Sequence, residues 1–187
     1  MSTALRVLVI VAGLGPAMAG PMLVDSGPVL VEGGSGLAVA GPVMVEGGAG
    51  MLEGGGVLDG FVIGYVPGGA GASASDFAYE PEDGVGFTSR VWERETGDDG
   101  HAVDLTVIIV RADRFGTLGD LGDFMSEYHE RDPASWTKVQ VGAHPGLKAA
   151  AQVVWLVRPG VGVSVTIDAA RFGDGELTVV AESVREQ

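Results

Sequence analysis

The chain predicts an α+β domain, a mainly antiparallel sheet of about six strands with two helices packed on one face. Three observations carry that prediction. Val161, Val163, Val165 and Ile167 alternate with Gly162, Ser164, Thr166 and Asp168, the period-two pattern of a strand with one covered and one wet face. Leu118, Leu121, Phe124, Met125 and Tyr128 recur at helical spacing and form one apolar stripe. Gly, Pro and Asp clusters separate several further strand-like runs.

The domain is expected over residues 58–187, and its elements follow in order. Phe61–Val66 reads as a strand that stops at Pro67-Gly68-Gly69, and Ser75–Glu80 as a second short one. Val85–Glu95 and His101–Arg111 flank Thr96-Gly97-Asp98-Asp99-Gly100, a loop suited to a hairpin. Val103, Leu105, Val107 and Ile109 alternate on one side of the second arm, with Ile108 and Val110 on the other. That strand is therefore expected to be central and covered on both faces. Thr117 caps the helix that follows, with Asp120 as its capping-box partner, and Pro133 lies beyond its end. Gln152–Val157 and Val161–Asp168 form a hairpin around Arg158-Pro159-Gly160, where Pro fixes φ and Gly permits a positive one. A last helix starts near Asp174 as N-cap, with Leu177, Val180, Ala181 and Val184 along one side.

The first third differs in texture. Residues 1–19 place Arg6 ahead of the apolar run Val7–Gly13, then Gly15-Pro16 and Ala17-Met18-Ala19. This is the layout of a secretory signal peptide, with an uncleaved N-terminal membrane anchor as the alternative. A mis-chosen start would leave the protein in the cytoplasm instead. Residues 20–57 form a Gly-rich, low-complexity lead-in. Within it the form G-P-x-x-V-acid occurs at Gly20–Asp25, Gly27–Glu32 and Gly41–Glu46.

Of 187 residues, 32 are Gly, none is Cys and 19% are charged, against about 25% charged in soluble domains. Asn is absent and lysine is limited to Lys138 and Lys148, a bias that points to a high-GC bacterial genome. The net charge of −14 argues against nucleic acid, whose phosphates require clustered Lys and Arg. The same field repels anionic lipid, so membrane contact is expected only through an uncleaved N-terminal segment. Without cysteine there are no disulfides, thiolate nucleophiles or Cys-ligated zinc.

Leu58-Asp59-Gly60-Phe61, Ser75–Glu80, Phe87–Glu93, Glu127–Pro133 and Val154–Val161 resemble a family of proteins of unknown activity from high-GC, actinobacterial-type bacteria. The ending is more loosely similar to exported envelope domains of the lipoprotein-carrier-like and photosystem-P-like folds. The resemblance implies an envelope-type domain and no particular chemistry.

Among candidate residues, Glu127–Trp136 is the most site-like stretch. His129 stands beside Glu130 and Asp132, yet it lacks the two-His spacing of a helical zinc motif and fits a helix end complementing the dipole. His144-Pro145-Gly146 reads as a turn. Ser73 and Ser75 lie in a Gly/Ala/Ser loop without a nucleophile-elbow pattern, and Asp98-Asp99 offers too few oxygens for calcium. Trp155 alternates with Val153 and Val157 as core, whereas Trp92 between Arg90 and Arg94 fits either ordinary sheet packing under a helix or the lining of a groove. The sequence thus predicts no catalytic residue, metal site or cofactor, and names Trp92, Trp136, Tyr128 and His129 as ligand-binding candidates. The expected function is that of an exported, non-enzymatic domain binding a protein or apolar ligand at the cell envelope. The alternatives are a hydrolase using His129 or His144 with nearby carboxylates, and a cytoplasmic adaptor.

Overall fold

The computed structural model describes residues 55–80, 84–97 and 100–187; the leader, the repeats and Asp98-Asp99 lie outside the described residues. Seven strands form one antiparallel sheet in the order β3-β4-β5-β9-β8-β7-β6. They are β3 (Ser73–Tyr79), β4 (Gly86–Thr96), β5 (Gly100–Arg111), β6 (Thr137–Val141), β7 (His144–Ala149), β8 (Gln152–Arg158) and β9 (Val161–Ile167). A second, three-stranded sheet joins β1 (Gly56–Leu58), β2 (Phe61–Ile63) and β10 (Val184–Glu186), with β2 in the middle. The helices are α1 (Leu118–Tyr128) and α2 (Asp174–Ser183). No helix among the described residues is long and apolar enough to cross a membrane.

The helices do not share a face. Leu105, Val107, Ile109, Val153 and Trp155 pack with Leu177, Val180 and Ala181 of α2, and with Phe61, Ile63 and Val184 of the small sheet. Val110 and Val154 pack with Leu121 and Met125 of α1. The expected one-sided arrangement is therefore corrected to three layers. The reason is visible in β5 and β8, which carry apolar side chains on both faces and so need cover on both.

The same correction reaches β9. Its supposed wet face lies under α1, where Gly162 and Ser164 are buried. A Cβ at Gly162 would stand 2.8 Å from Leu121 Cδ2, and one at Gly122 would stand 2.6 Å from Leu147 Cδ1. Missing side chains on strand and helix thus let α1 lie close to the sheet. This explains Gly122, which costs about 1 kcal/mol in helix propensity, whereas exposed Gly119 has no such packing reason.

Local signals decide the remaining elements. Thr117 Oγ1 accepts from Asp120 N at 3.2 Å, and Thr117 N donates to Asp120 Oδ2 at 2.8 Å, closing the expected capping box. Replacing Thr117 by Ala removes one half of it. Thermal or urea unfolding should show a loss of about 1 kcal/mol. The last helix instead has Gly173 as N-cap with no side-chain bond, and Asp174 is its first residue. His144-Pro145-Gly146 begins β7 rather than forming a turn. The turn is Gly142-Ala143, with Gly142 at φ 55°. Proline is tolerated there because β7 pairs with β8 only from Gly146 onward, so its missing N–H costs no ladder bond.

One irregularity shapes the sheet. Trp92 pairs with Leu105 and Glu93 with Val103, so a bulge leaves Asp104 unpaired and re-aims its side chain. Asp104 is fully buried. Arg171 Nη1 donates to its Oδ2, and Arg94 Nε lies 3.4 Å from its Oδ1. Arg171 also donates to Gly69 O at 2.8 Å, and Arg94 Nη2 lies 3.4 Å from Asp168 Oδ2. One carboxylate thereby ties two loops to the middle of the sheet.

Candidate binding site

Three of the four sequence candidates meet at the C-terminal end of α1. His129 is its C-cap residue. Gln152, buried at the start of β8, presents its amide to His129 Nε2 at 3.1 Å and to Ser164 Oγ at 2.9 Å. Arg131 Nη1 donates to Gln152 Oε1 at 2.9 Å. This arrangement is satisfied when the imidazole is neutral and accepts at Nε2, which leaves the proton on Nδ1. Burial, with the Arg131 charge as a second cause, lowers the His129 pKa to about 4.

Around that network the aromatics are arranged in two groups. Trp136 Nε1 donates to Ser126 Oγ at 2.7 Å, while the Arg131 guanidinium lies 4.8 Å from the Trp136 ring centre. Tyr128 stacks on Phe87 at 5.2 Å and on Phe124 at 5.9 Å, its outer side open to solvent. Trp92 is elsewhere. It is buried on the α2 side with Ile63 and Leu105, and its flanking arginines are engaged. Arg90 pairs with Asp76 at 2.6 Å, and Arg94 with Asp104 and Asp168. Trp92 is therefore core packing, because the small sheet covers that face.

The hollow suited to a ligand lies between β6–β8 and the layer of α2 and β10. It has a volume of about 360 Å³. Phe61, Val141, Trp155, Val157, Ala181 and Val184 give it apolar walls, and His144, Glu182, Arg185 and Glu186 stand around it. Its shape follows from the strand directions. The Gly142-Ala143 turn ends the β6–β7 hairpin, and α2 runs directly into β10 at Val184. Gly64 N donates to Ser183 O at 3.1 Å, and Tyr65 OH to Glu176 at 2.7 Å, so the α2 layer is anchored to β2. Chemically such a site removes an apolar group from water and offers charges of both signs at its edge.

Nothing in the sequence singled out this hollow. Its apolar walls come from β2, β6, β8, α2 and β10, each an ordinary apolar position in its own segment. Trp155 is core as expected, at 1% exposure, yet it also floors the hollow.

The histidines lie on three different elements. His101 is exposed on β5 near the distal hairpin end, His129 caps α1, and His144 opens β7. Ser73 and Ser75 are in strand β3 rather than a loop. Among the described residues no group of three or more His, Asp or Glu could hold a metal ion. No known protein family, curated protein or solved structure matches the chain.

Proposed function

We propose that the domain is a non-enzymatic binding module that holds a small apolar ligand in the hollow beneath α2, and that it works after export at the cell envelope. The observation carrying this reading is the 360 Å³ apolar space between sheet and helix. The hollow opens to solvent on one side, and small-molecule sites begin near this size. Covering Trp155, Val141 and Val184 with an apolar group would drive association. Glu182, Arg185 and Glu186 would face a polar end of the ligand. The export half of the reading draws on the layout of residues 1–19 and on the resemblance to envelope domains.

Titration of the full chain with the fluorescent amphiphile N-phenyl-1-naphthylamine tests the site. Binding is expected at a Kd of about 10 µM. Val157→Trp places an indole in the hollow and should weaken binding at least about tenfold. Val179→Trp, on the exposed side of α2, should leave it unchanged. Undiminished binding by Val157→Trp removes the hollow as the site. A hydrolytic reading has one observation in its favour, His144 sharing the rim with Glu182 and Glu186. Hydrolysis of p-nitrophenyl butyrate separates the two: the hydrolytic reading expects turnover that His144→Ala abolishes, and the binding reading expects none above buffer.

A further inference from the structure

The two edges of the seven-stranded sheet differ. β6 has five residues and carries Lys138, the kind of charge that discourages another strand from pairing. β3 has seven residues in unbroken register with β4, with neither lysine, proline nor bulge. Its one charge, Asp76, is bonded by Arg90 at 2.6 Å through both carboxylate oxygens. Among the described residues nothing pairs with the outer side of β3.

That edge adjoins an apolar surface. Phe77 and Tyr79 are 37% and 43% exposed and alternate along the strand. Tyr79 lies 6.5 Å from Phe87, on which the half-open Tyr128 stacks. At the foot of β3 a shallow, solvent-open cavity of about 260 Å³ is lined by Tyr79, Glu80, Phe87 and Thr88, with Asp59 and Arg111 beside it. Arg111 is bonded to Asp59 at 2.6 Å, and among the described residues Glu80 is the charge in that wall with no ion pair.

We infer that β3 accepts an extended segment of a partner protein as an added strand, with apolar side chains on Phe77 and Tyr79 and a basic side chain in the cavity beside Glu80. Strand addition takes affinity from main-chain bonds and specificity from alternate side chains. An aromatic wall with a carboxylate is suited to a guanidinium or ammonium group. Charge selects the occupant. A second copy of a chain with net charge −14 is repelled. A neutral-to-basic segment is attracted.

The test uses the full chain and a blocked heptapeptide alternating Val with Arg, read by fluorescence anisotropy and amide hydrogen exchange. The expected result is saturable binding with slowed exchange across residues 73–79. Replacing Arg by Glu in the peptide should abolish binding, and Glu80→Lys in the protein should weaken it at least about tenfold. Phe77→Ser should weaken it as well, while exchange in α2 stays unchanged and reports an intact fold. The inference fails if the Glu peptide binds equally or if protection falls outside β3. It also fails if the amides of residues 73–79 that point away from β4 already exchange slowly without peptide, which would mean that the protein's own chain or a second copy covers the edge.

Discussion

Asp104→Ala should lower the unfolding free energy by about 3 kcal/mol, read from urea denaturation at neutral pH. The carboxylate is fully buried between Arg171 and Arg94. Removing it takes the shared carboxylate from two guanidinium groups, leaving Arg171 only Gly69 O as acceptor and Arg94 only the 3.4 Å contact with Asp168. Losses for breaking a buried pair run to about 5 kcal/mol. The lower figure applies because both arginine side chains are about 30% exposed and water can reach them. The damage should be local at first. Arg171 holds Gly69, and Asp168 N bonds to Asp104 O at 2.9 Å, so faster exchange is expected at residues 67–71 and 168–172. Asp104→Leu, which removes the charge but fills the space, should lose stability too, because both arginines remain. A stability unchanged within about 0.5 kcal/mol would remove the ion cluster from the account of this fold.

Lowering the pH from 7 to 4.5 should cost the wild type about 2 kcal/mol more than His129→Gln. The ordinary imidazole pKa is 6.5, and the folded protein holds it at about 4. The unfolded chain therefore takes up a proton near pH 6.5, while the folded chain resists until about pH 4. Stability is complete above the upper value and declines as pH falls through that window. Below it the contribution is lost and the curve flattens. The figure allows for partial solvation of the ring. Structurally, a protonated Nε2 would face the Gln152 amide N–H at 3.1 Å beside the Arg131 charge. In His129→Gln the carboxylate titrations remain and only this step disappears. The difference between the two urea midpoints across pH isolates it. Identical pH slopes would mean that His129 titrates as a solvated imidazole.

Local chemistry wrote most of the elements into the sequence. Thr117 with Asp120 marks the α1 start because a capping box needs only residues three apart. Pro159-Gly160 marks the β8–β9 turn for the same reason, with Gly160 at φ 83°. Layer assignment was harder to read. Alternation at Val161–Ile167 says that one face is covered, yet small residues on the other face mean either water or a closely packed helix. Gly162 and Ser164 turned out to be the second kind, against Leu121 and Gln152. Strands β6 and β7 were obscured because Pro145 and Gly146 signal a turn unless the pairing partner is known.

The candidate site was legible only in part. Tyr128, His129 and Trp136 come together because they follow one another through a helix end and a 3-10 turn at Pro133–Ser135, a local arrangement. Trp92 looked available because its arginine neighbours imply exposure. Both are consumed by ion pairs that depend on Asp76, Asp104 and Asp168, none adjacent in sequence. The hollow beneath α2 is a property of tertiary assembly, since Phe61 and Val184 reach it through pairing of β2 with β10.

The most direct test of the binding account is a two-dimensional NMR titration of the full chain with 1-decanol below its solubility limit. Saturable shifts confined to Phe61, Val141, the Trp155 indole, Ala181 and Val184 are predicted. Shifts centred on Tyr128 and Phe77, or no saturable change anywhere, would contradict it.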